Sequence, residues 1–352
     1  MLTRIYVDNY GCLIDFEYSP GKLNILAGHR GTGRTTLLEV LERLGQFITG
    51  GSKYTPVRDA LPMDKCTAWQ QRPVQTFEVE IATSEDRYAY RLQIEHGSDE
   101  LDSKLVKEEL VHDGEQLFVF EDGIGRLRDE SRSFTKVYTS EGNGSVMRDA
   151  LNVSRHGGLL RFCQWWEVNP WIILPGREDM VNHSHEEIEQ LHITGDNLGS
   201  WYRYEARTRP DRVAELDRAL AALLERFVRL QLVNDQEGRS MCFEAVFDHP
   251  IKGKVAYEIE SLSSREQLLI QLYSLAYLAL RPDRSVCIDA PRVALEMDEL
   301  RQWLGAVVRS ARVTSCQVFV VVNQLELTDD LPAGSLTLFE RPDQGPATVT
   351  QR

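Results

Sequence analysis

Residues 23–38 read LNILAGHRGTGRTTLL, and this stretch limits the fold more tightly than any other. The apolar run at 23–27 predicts a buried strand. A glycine-rich turn follows at 28–35, and then Leu37, Leu38, Val40, Leu41 and Leu44 recur at helical spacing. Strand, glycine loop and helix in that order are the setting of a phosphate-binding loop. Successive N–H groups of such a turn, with the helix N-terminus, make a concave anion site. Gly28, Gly31 and Gly33 allow backbone angles and a closeness to phosphate that a Cβ blocks. The pattern GxxxxGK[ST] is broken at one place, where Arg34 stands for the lysine.

A site of this kind needs a phosphate loop, a cation on the β/γ-phosphates, a hydroxyl on Mg²⁺ and an acid behind the metal. The loop candidates are Gly28, His29, Arg30, Gly31, Thr32, Gly33, Arg34, Thr35 and Thr36. Thr35 supplies the hydroxyl. Asp289, which closes the apolar run SVCID, supplies the acid. The cation of the motif is Arg34. Its guanidinium is a planar fork, wider than an ammonium, so it neutralises phosphate with a different geometry. On the loop alone, a plain structural turn competes with this reading.

Composition narrows the classes. The chain has 352 residues, 42% of them apolar, enough for a sizeable core. No run approaches the ~18–20 apolar residues of a membrane span, and the N-terminus lacks the layout of a signal peptide. Six cysteines lie far apart with no CxxC pair, which predicts buried free thiols in a reducing cytoplasm. The net charge of −14 weighs against broad contact with a nucleic-acid backbone but leaves room for a local basic groove.

Along the chain, residues 3–8 and 12–17 predict a hairpin leading into the strand at 22–27. The helix after the loop should end near Gly50 and Gly51, with mostly loop over 51–73. Alternation over 75–95, broken at Ser84, Glu85 and Asp86, and over 105–112 and 116–120 predicts antiparallel strands. Residues 121–143 are charged and weakly periodic. Helices are expected at 146–167, 186–192 and 211–232, the last being the clearest amphipathic pattern, with strands resuming near 242–259. A serine-started helix over 263–280, a strand at 285–289, a helix at 297–312, a strand at 317–322 and two short strands at 335–340 and 347–350 complete the reading. The cluster His183, His185, Glu186, Glu189 and His192 reads as a solvated helix start before it reads as a metal site. Trp165, Trp166 and Trp171 read as core before they read as a base-stacking patch.

Further motifs then line up. Residues 262–267 (LSSREQ) look like the signature LSxGE/Q. Residues 286–291 (VCIDAP) look like a Walker B strand with its following acid position and proline. Residues 317–327 (QVFVVVNQLEL) look like the strand that carries a switch histidine, and 193–198 (ITGDNL) like a dGxNL segment. With the loop at 28–35 as Walker A, the whole chain resembles ABC-type ATPases of the SMC/RecF/OLD kind. The nearest resemblance is to the short predicted AAA-family ATPases of bacterial defence loci.

The resemblance implies an α/β fold: a P-loop NTPase domain with a mixed central sheet. Residues 1–50 would be its N-terminal lobe and 241–352 its C-terminal lobe, joined around an inserted strand-and-helix lid at 51–240. It implies ATP and Mg²⁺ as cofactors, head-to-tail dimers or higher oligomers, and a separate effector protein in antiphage defence. Four catalytic positions depart from the pattern: Arg34 for lysine, Arg265 for the signature glycine, Ala290 for the catalytic glutamate and Asn323 for the switch histidine. Loss of a positioned base alone typically costs ~10²–10⁴-fold. The coherent expectation is a degenerate ATPase that binds nucleotide and hydrolyses it slowly or not at all, as a regulatory or structural subunit. Against it stand a slow ATPase whose water is placed by Glu296, Asp298 or a partner, and a nucleic-acid-binding clamp. In the resembled family Arg265 would face a partner's site, where it could act as a γ-phosphate clamp. The middle of the chain lacks sustained heptads, which argues against a long coiled-coil arm. The short tail leaves no room for a nuclease domain of the OLD type.

Overall fold

The computed structural model describes residues 1–50, 56–70, 72–97, 102–128, 134–154, 156–176, 180–235, 238–289, 295–323 and 331–352. The chain divides into two compact units. One comprises Met1–Pro170, Asp283–Ser285 and Asn323–Arg352, the other Trp171–Pro282 and Val286–Val322.

In the first unit an eight-stranded antiparallel sheet runs in the order β2-β1-β4-β5-β6-β7-β8-β9. Its strands are β1 (Leu2–Asp8), β2 (Phe16–Tyr18), β4 (Val74–Ala82), β5 (Arg87–Glu95), β6 (Lys104–His112), β7 (Glu115–Glu121), β8 (Ile124–Arg128) and β9 (Phe134–Thr139). Period-two burial of Phe77, Val79 and Ile81 against Tyr88, Tyr90, Leu92 and Ile94 fixes the register of β4 with β5. The expected hairpin forms, with a shorter second strand: Ile5 pairs with Tyr18, and residues 9–15 make a loop. Within the charged stretch 121–143 the chain forms β8 and β9, which the weak periodicity of its sequence does not predict.

Also in this unit, β3 (Leu23–Gly28) lies parallel to β17 (Leu336–Glu340), which pairs antiparallel with β18 (Thr348–Gln351). Helix α1 (Arg34–Thr49) ends on left-handed Gly50. Its Gly45 lies against Trp166 of α4 (Gly157–Val168), where a Cβ would sit 3.4 Å from the indole. The helix expected over 146–167 is two, α3 (Val146–Ser154) and α4. A short helix, α2 (Val57–Ala60), lies between β3 and β4 in sequence.

In the second unit β10 (Trp171–Ile173) runs parallel to β15 (Ser285–Asp289), with β16 (Gln317–Val322) next in order. A second sheet joins β11 (His183–Ser184), β12 (Phe227–Asn234), β13 (Met241–His249) and β14 (Gly253–Glu258). The helices are α5 (Leu198–Thr208), α6 (Pro210–Ala221), α7 (Ser264–Ser274) and α8 (Met297–Thr314).

Two expected helices are corrected here. Residues 211–232 are helical only through Ala221. The chain turns at Arg226 (φ 62°) and continues as β12. The ladder with β13 shifts register between Phe227 and Arg229, so Phe227 and Leu230 face the same side three positions apart and imitate helical spacing. Residues 186–192 form no helix. Their backbone groups bond elsewhere: Glu186 O accepts from Ser184 Oγ, and the Ile188 N–H donates to Ser200 O.

The expected helix over 263–280 forms, but it widens into a π-turn at Leu275–Ala279. Trp303 Nε1 donates to Leu272 O at 2.8 Å, and Arg212 Nε to Tyr277 O at 3.1 Å, so side chains bond the helix backbone around this turn. Cys12, Cys163, Cys242, Cys287 and Cys316 are buried free thiols; Cys66 is half-buried and also free. Trp165 and Trp166 meet edge to face in the first unit, as do Trp171 and Trp201 in the second, and all four are buried, as the core reading expects.

Candidate functional site

The glycine loop is shaped by close approach. Gly28 ends β3 opposite Phe339 of β17, and a Cβ there would lie 2.3 Å from the Phe339 carbonyl oxygen. Gly33 (φ 98°) precedes α1, and its Cβ would lie 2.8 Å from Cys12 Sγ. The first turn of α1 has neither a side-chain cap nor an acidic residue. That leaves the positive end of the helix suited to an anion.

Arg34 is only 3% exposed. Its Nη2 donates to the His29 carbonyl at 2.8 Å and to Asn323 Oδ1 at 2.9 Å. The same His29 oxygen accepts from Thr32 Oγ1 at 2.9 Å. The guanidinium therefore reaches back across the loop that it follows. Two positions singled out in the sequence, 34 and 323, are thus brought together as donor and acceptor. An amide oxygen suits this pairing at any ordinary pH, whereas a protonated histidine has no acceptor to offer.

Beside the loop lies a cavity of about 580 Å³, lined by residues 28–32 of the loop and 338–342 and 344 of the strand end opposite. Gly28, His29, Arg30, Gly31 and Thr32 border it as the motif expects. Gly33, Arg34, Thr35 and Thr36 are not among its lining residues; Thr36 instead packs on Gly11, 3.2 Å from where a Cβ would be. The lining from 338 onward includes Arg341, one residue beyond the strand expected at 335–340 and outside every motif singled out in the sequence. A signal was present in Arg341-Pro342-Asp343-Gln344-Gly345, a basic residue leading into turn-forming types.

In the second unit, Asp289 sits at the buried end of β15. Ala290 and residues 324–327 lie outside the described residues. Arg265, in the first turn of α7, forms an ion pair with Glu299 of α8, and its side chain is half exposed. Glu296 caps α8 in a reciprocal capping box with Glu299, and Asp298 pairs with Arg301 at 3.2 Å. Residues 193–198 pack on α7: Gln271 Nε2 donates to Thr194 O at 3.2 Å, and a Cβ on Gly195 would lie 2.1 Å from that nitrogen.

The histidine-rich stretch stays a polar surface segment, with His192 on Asp196 at 3.0 Å. Among the described residues, the His/acid group close enough to share a metal is Asp86, His112 and Asp113, in the first unit. There Arg161 already donates two bonds of 2.8 Å to Asp86, and His112 bonds it at 2.7 Å. The Arg161 guanidinium holds the Asp86 carboxyl well below the usual carboxylate range, so an arginine occupies the role of the cation.

No protein-family profile matches this sequence, and no curated protein matches it. Solved structures do match over the whole chain. An SMC head bound to the C-winged helix domain of ScpA aligns with 100% of this chain and 98% of its own, at a TM-score of 0.56 and 12% identity. The chain shares its fold with SMC head domains. The head domain from Thermotoga maritima covers 100% and 98%, with a TM-score of 0.50 and 8% identity. A Smc head with an extended coiled coil, bound to the C-terminal domain of ScpA from Pyrococcus furiosus, covers 100% and 96%, with a TM-score of 0.53 and 10% identity. The likeness is one of fold, mixed α/β over the full length of the chain. The longest helix among the described residues has 18 residues, and none is long and apolar enough to cross a membrane.

Proposed function

We propose that the chain binds ATP with Mg²⁺ through the backbone of residues 28–36, with Thr35 and Asp289 as metal ligands, and that it hydrolyses the nucleotide slowly or not at all. In this reading residues 1–50 and 241–352 are the two lobes of a nucleotide domain and 51–240 an inserted segment. The chain acts as a regulatory or structural subunit. Head-to-tail pairing of nucleotide domains, a cytoplasmic setting and a separate effector in antiphage defence belong to the same proposal; the defence setting rests on motif resemblance alone.

The observation that carries the reading is the open 580 Å³ cavity against residues 28–32 of the glycine loop, a volume within the usual range of small-ligand sites; the roles of Thr35 and Asp289 rest on the motif and not on this lining. Weak turnover follows from the residue types at the chemical positions. Ala290 cannot polarise water, and Asn323 is engaged with Arg34. Glu296 is engaged in a helix cap, and Asp298 makes an exposed surface pair with Arg301.

The test is direct. Purified full-length chain is assayed for co-purifying nucleotide, for Mg-ATP affinity by calorimetry and for phosphate release. Micromolar binding with turnover at background supports the proposal. Hydrolysis well above background that Asp289→Ala abolishes would replace it with the slow-ATPase reading, and absence of binding to any nucleotide would overturn both.

A further inference from the structure

The lysine of a phosphate loop exists to meet the ligand's charge, and in this chain Arg34 is held by His29 and Asn323 and does not border the cavity. Two arginines do line the cavity, Arg30 on the loop itself and Arg341, and among the described residues only Arg341 makes bonds that hold its guanidinium in place. Arg341 leaves the end of β17 and lines the wall opposite the loop. Its Nη1 lies 3.4 Å from Gly31 O, Nε donates to Gly345 O at 2.7 Å, and Nη2 to Gln344 O at 2.8 Å. The guanidinium carbon stands 5.0 Å from the ring centre of Trp69, which is 48% exposed.

Three features make Arg341 more than a surface arginine. Its hydrogen-bond partners are neutral carbonyls, and among the described residues it forms no ion pair. It is immobilised in advance. Asp343 (φ 49°) and Gln344 (φ 57°) are two successive non-glycine residues in the left-handed region, a conformation that costs on the order of 1 kcal/mol or more each and collects at ligand sites. That turn brings the carbonyls of Gln344 and Gly345 onto the guanidinium. Finally, three carbonyl bonds use three of the five N–H donors of an arginine fork, leaving two for a ligand.

We infer that Arg341, braced by Trp69 and the 342–345 turn, is the cation that meets the phosphates of a ligand in this cavity, in place of the residue at the lysine position. The inference rests on the nucleotide reading for the ligand but not for the site: the chemistry it requires is a di- or triphosphate. Glu340, the acidic side chain on the lining, disfavours a ligand with its anion on that flank.

The experiment titrates ATP, ADP and inorganic pyrophosphate, each with Mg²⁺, into the full chain and into Arg341→Gln, Arg341→Lys, Trp69→Ala and Arg34→Lys, following Kd and thermal shift. Arg341→Gln should weaken ATP and pyrophosphate at least tenfold. Arg341→Lys should recover part of the loss, and Trp69→Ala should lose severalfold. Arg34→Lys should stay within threefold or tighten. If Arg341→Gln destabilises the 342–345 turn, the Arg341→Lys and Trp69→Ala pair carries the comparison. Pyrophosphate binding that depends on Arg341, without nucleotide binding, keeps this inference and removes the nucleotide reading. ATP binding indifferent to Arg341 does the reverse. Binding of neither ligand overturns both.

Discussion

Arg34 and Asn323 are separated by 289 positions in sequence and by 2.9 Å in space, where a guanidinium donates to an amide oxygen. The pair ties the start of α1 to the residue after β16. A hydrogen bond from a charged donor to a part-buried acceptor typically contributes ~1.5–3 kcal/mol. Asn323→Ala and Arg34→Lys should each lower the unfolding free energy by roughly 1–2 kcal/mol, and the double variant by less than their sum. Urea denaturation of the four proteins checks this; strict additivity would mean that the two side chains act independently.

The three loop glycines should not respond alike to alanine. At Gly28 the new Cβ meets a backbone oxygen at 2.3 Å, at Gly33 it meets Cys12 Sγ at 2.8 Å, and at Gly31 it meets nothing within 4 Å. Gly31→Ala should cost about 1–2 kcal/mol for its left-handed φ alone. Gly33→Ala should cost more, and Gly28→Ala most, because backbone has to move. Melting temperatures in that order confirm the loop's shape, and a Gly28→Ala protein as stable as Gly31→Ala contradicts it.

Glu108 is fully buried and accepts from Tyr90 OH at 2.9 Å, Ser145 Oγ at 2.7 Å and the Met147 N–H at 2.9 Å, anchoring the start of α3. Burial pushes its pKa up against those three bonds. Glu108→Ala orphans three buried donors and should destabilise by about 2–4 kcal/mol. Glu108→Gln, which keeps an acceptor, should cost less. Equal losses for the two variants would show that the acceptor is not what matters.

Asp217 of α6 accepts from the Leu230 N–H at 2.9 Å, and burial pushes its carboxyl up to about 6, with the Leu230 bond and Arg229 working the other way. A folded-state pKa above the unfolded value of 3.8 means that its contribution is fully present at low pH and is lost as pH rises from about 4 to 6. With allowance for screening at a part-exposed group, the loss is on the order of 1 kcal/mol. Asp217→Asn should therefore raise the melting temperature at pH 7.5 by a few degrees and leave it unchanged near pH 4. A gain of the same size at both pH values would rule out titration of this carboxyl.

The glycine turn and its flanking elements were legible because their geometry is local. A buried strand, three glycines and an amphipathic helix are specified by adjacent residues, and Gly28, Gly31 and Gly33 adopt the positive φ values that this turn demands. The serine-capped signature helix was legible for the same reason, since Ser263 and Glu266 form a capping box. The misreadings arise where one pattern serves two structures. A β-bulge gave Phe227 and Leu230 a helix-like spacing, and Arg126 and Arg128 interrupt the apolar pattern of the short β8.

From the sequence alone came the order of elements through the glycine loop, because each of those signals lies within a few neighbouring residues. Only the tertiary structure decided where the charges went. It turned Arg34 onto Asn323 and set Arg341 and Trp69 at the cavity. Such partnerships join residues hundreds of positions apart, and spacing along a chain carries no record of contacts made by folding.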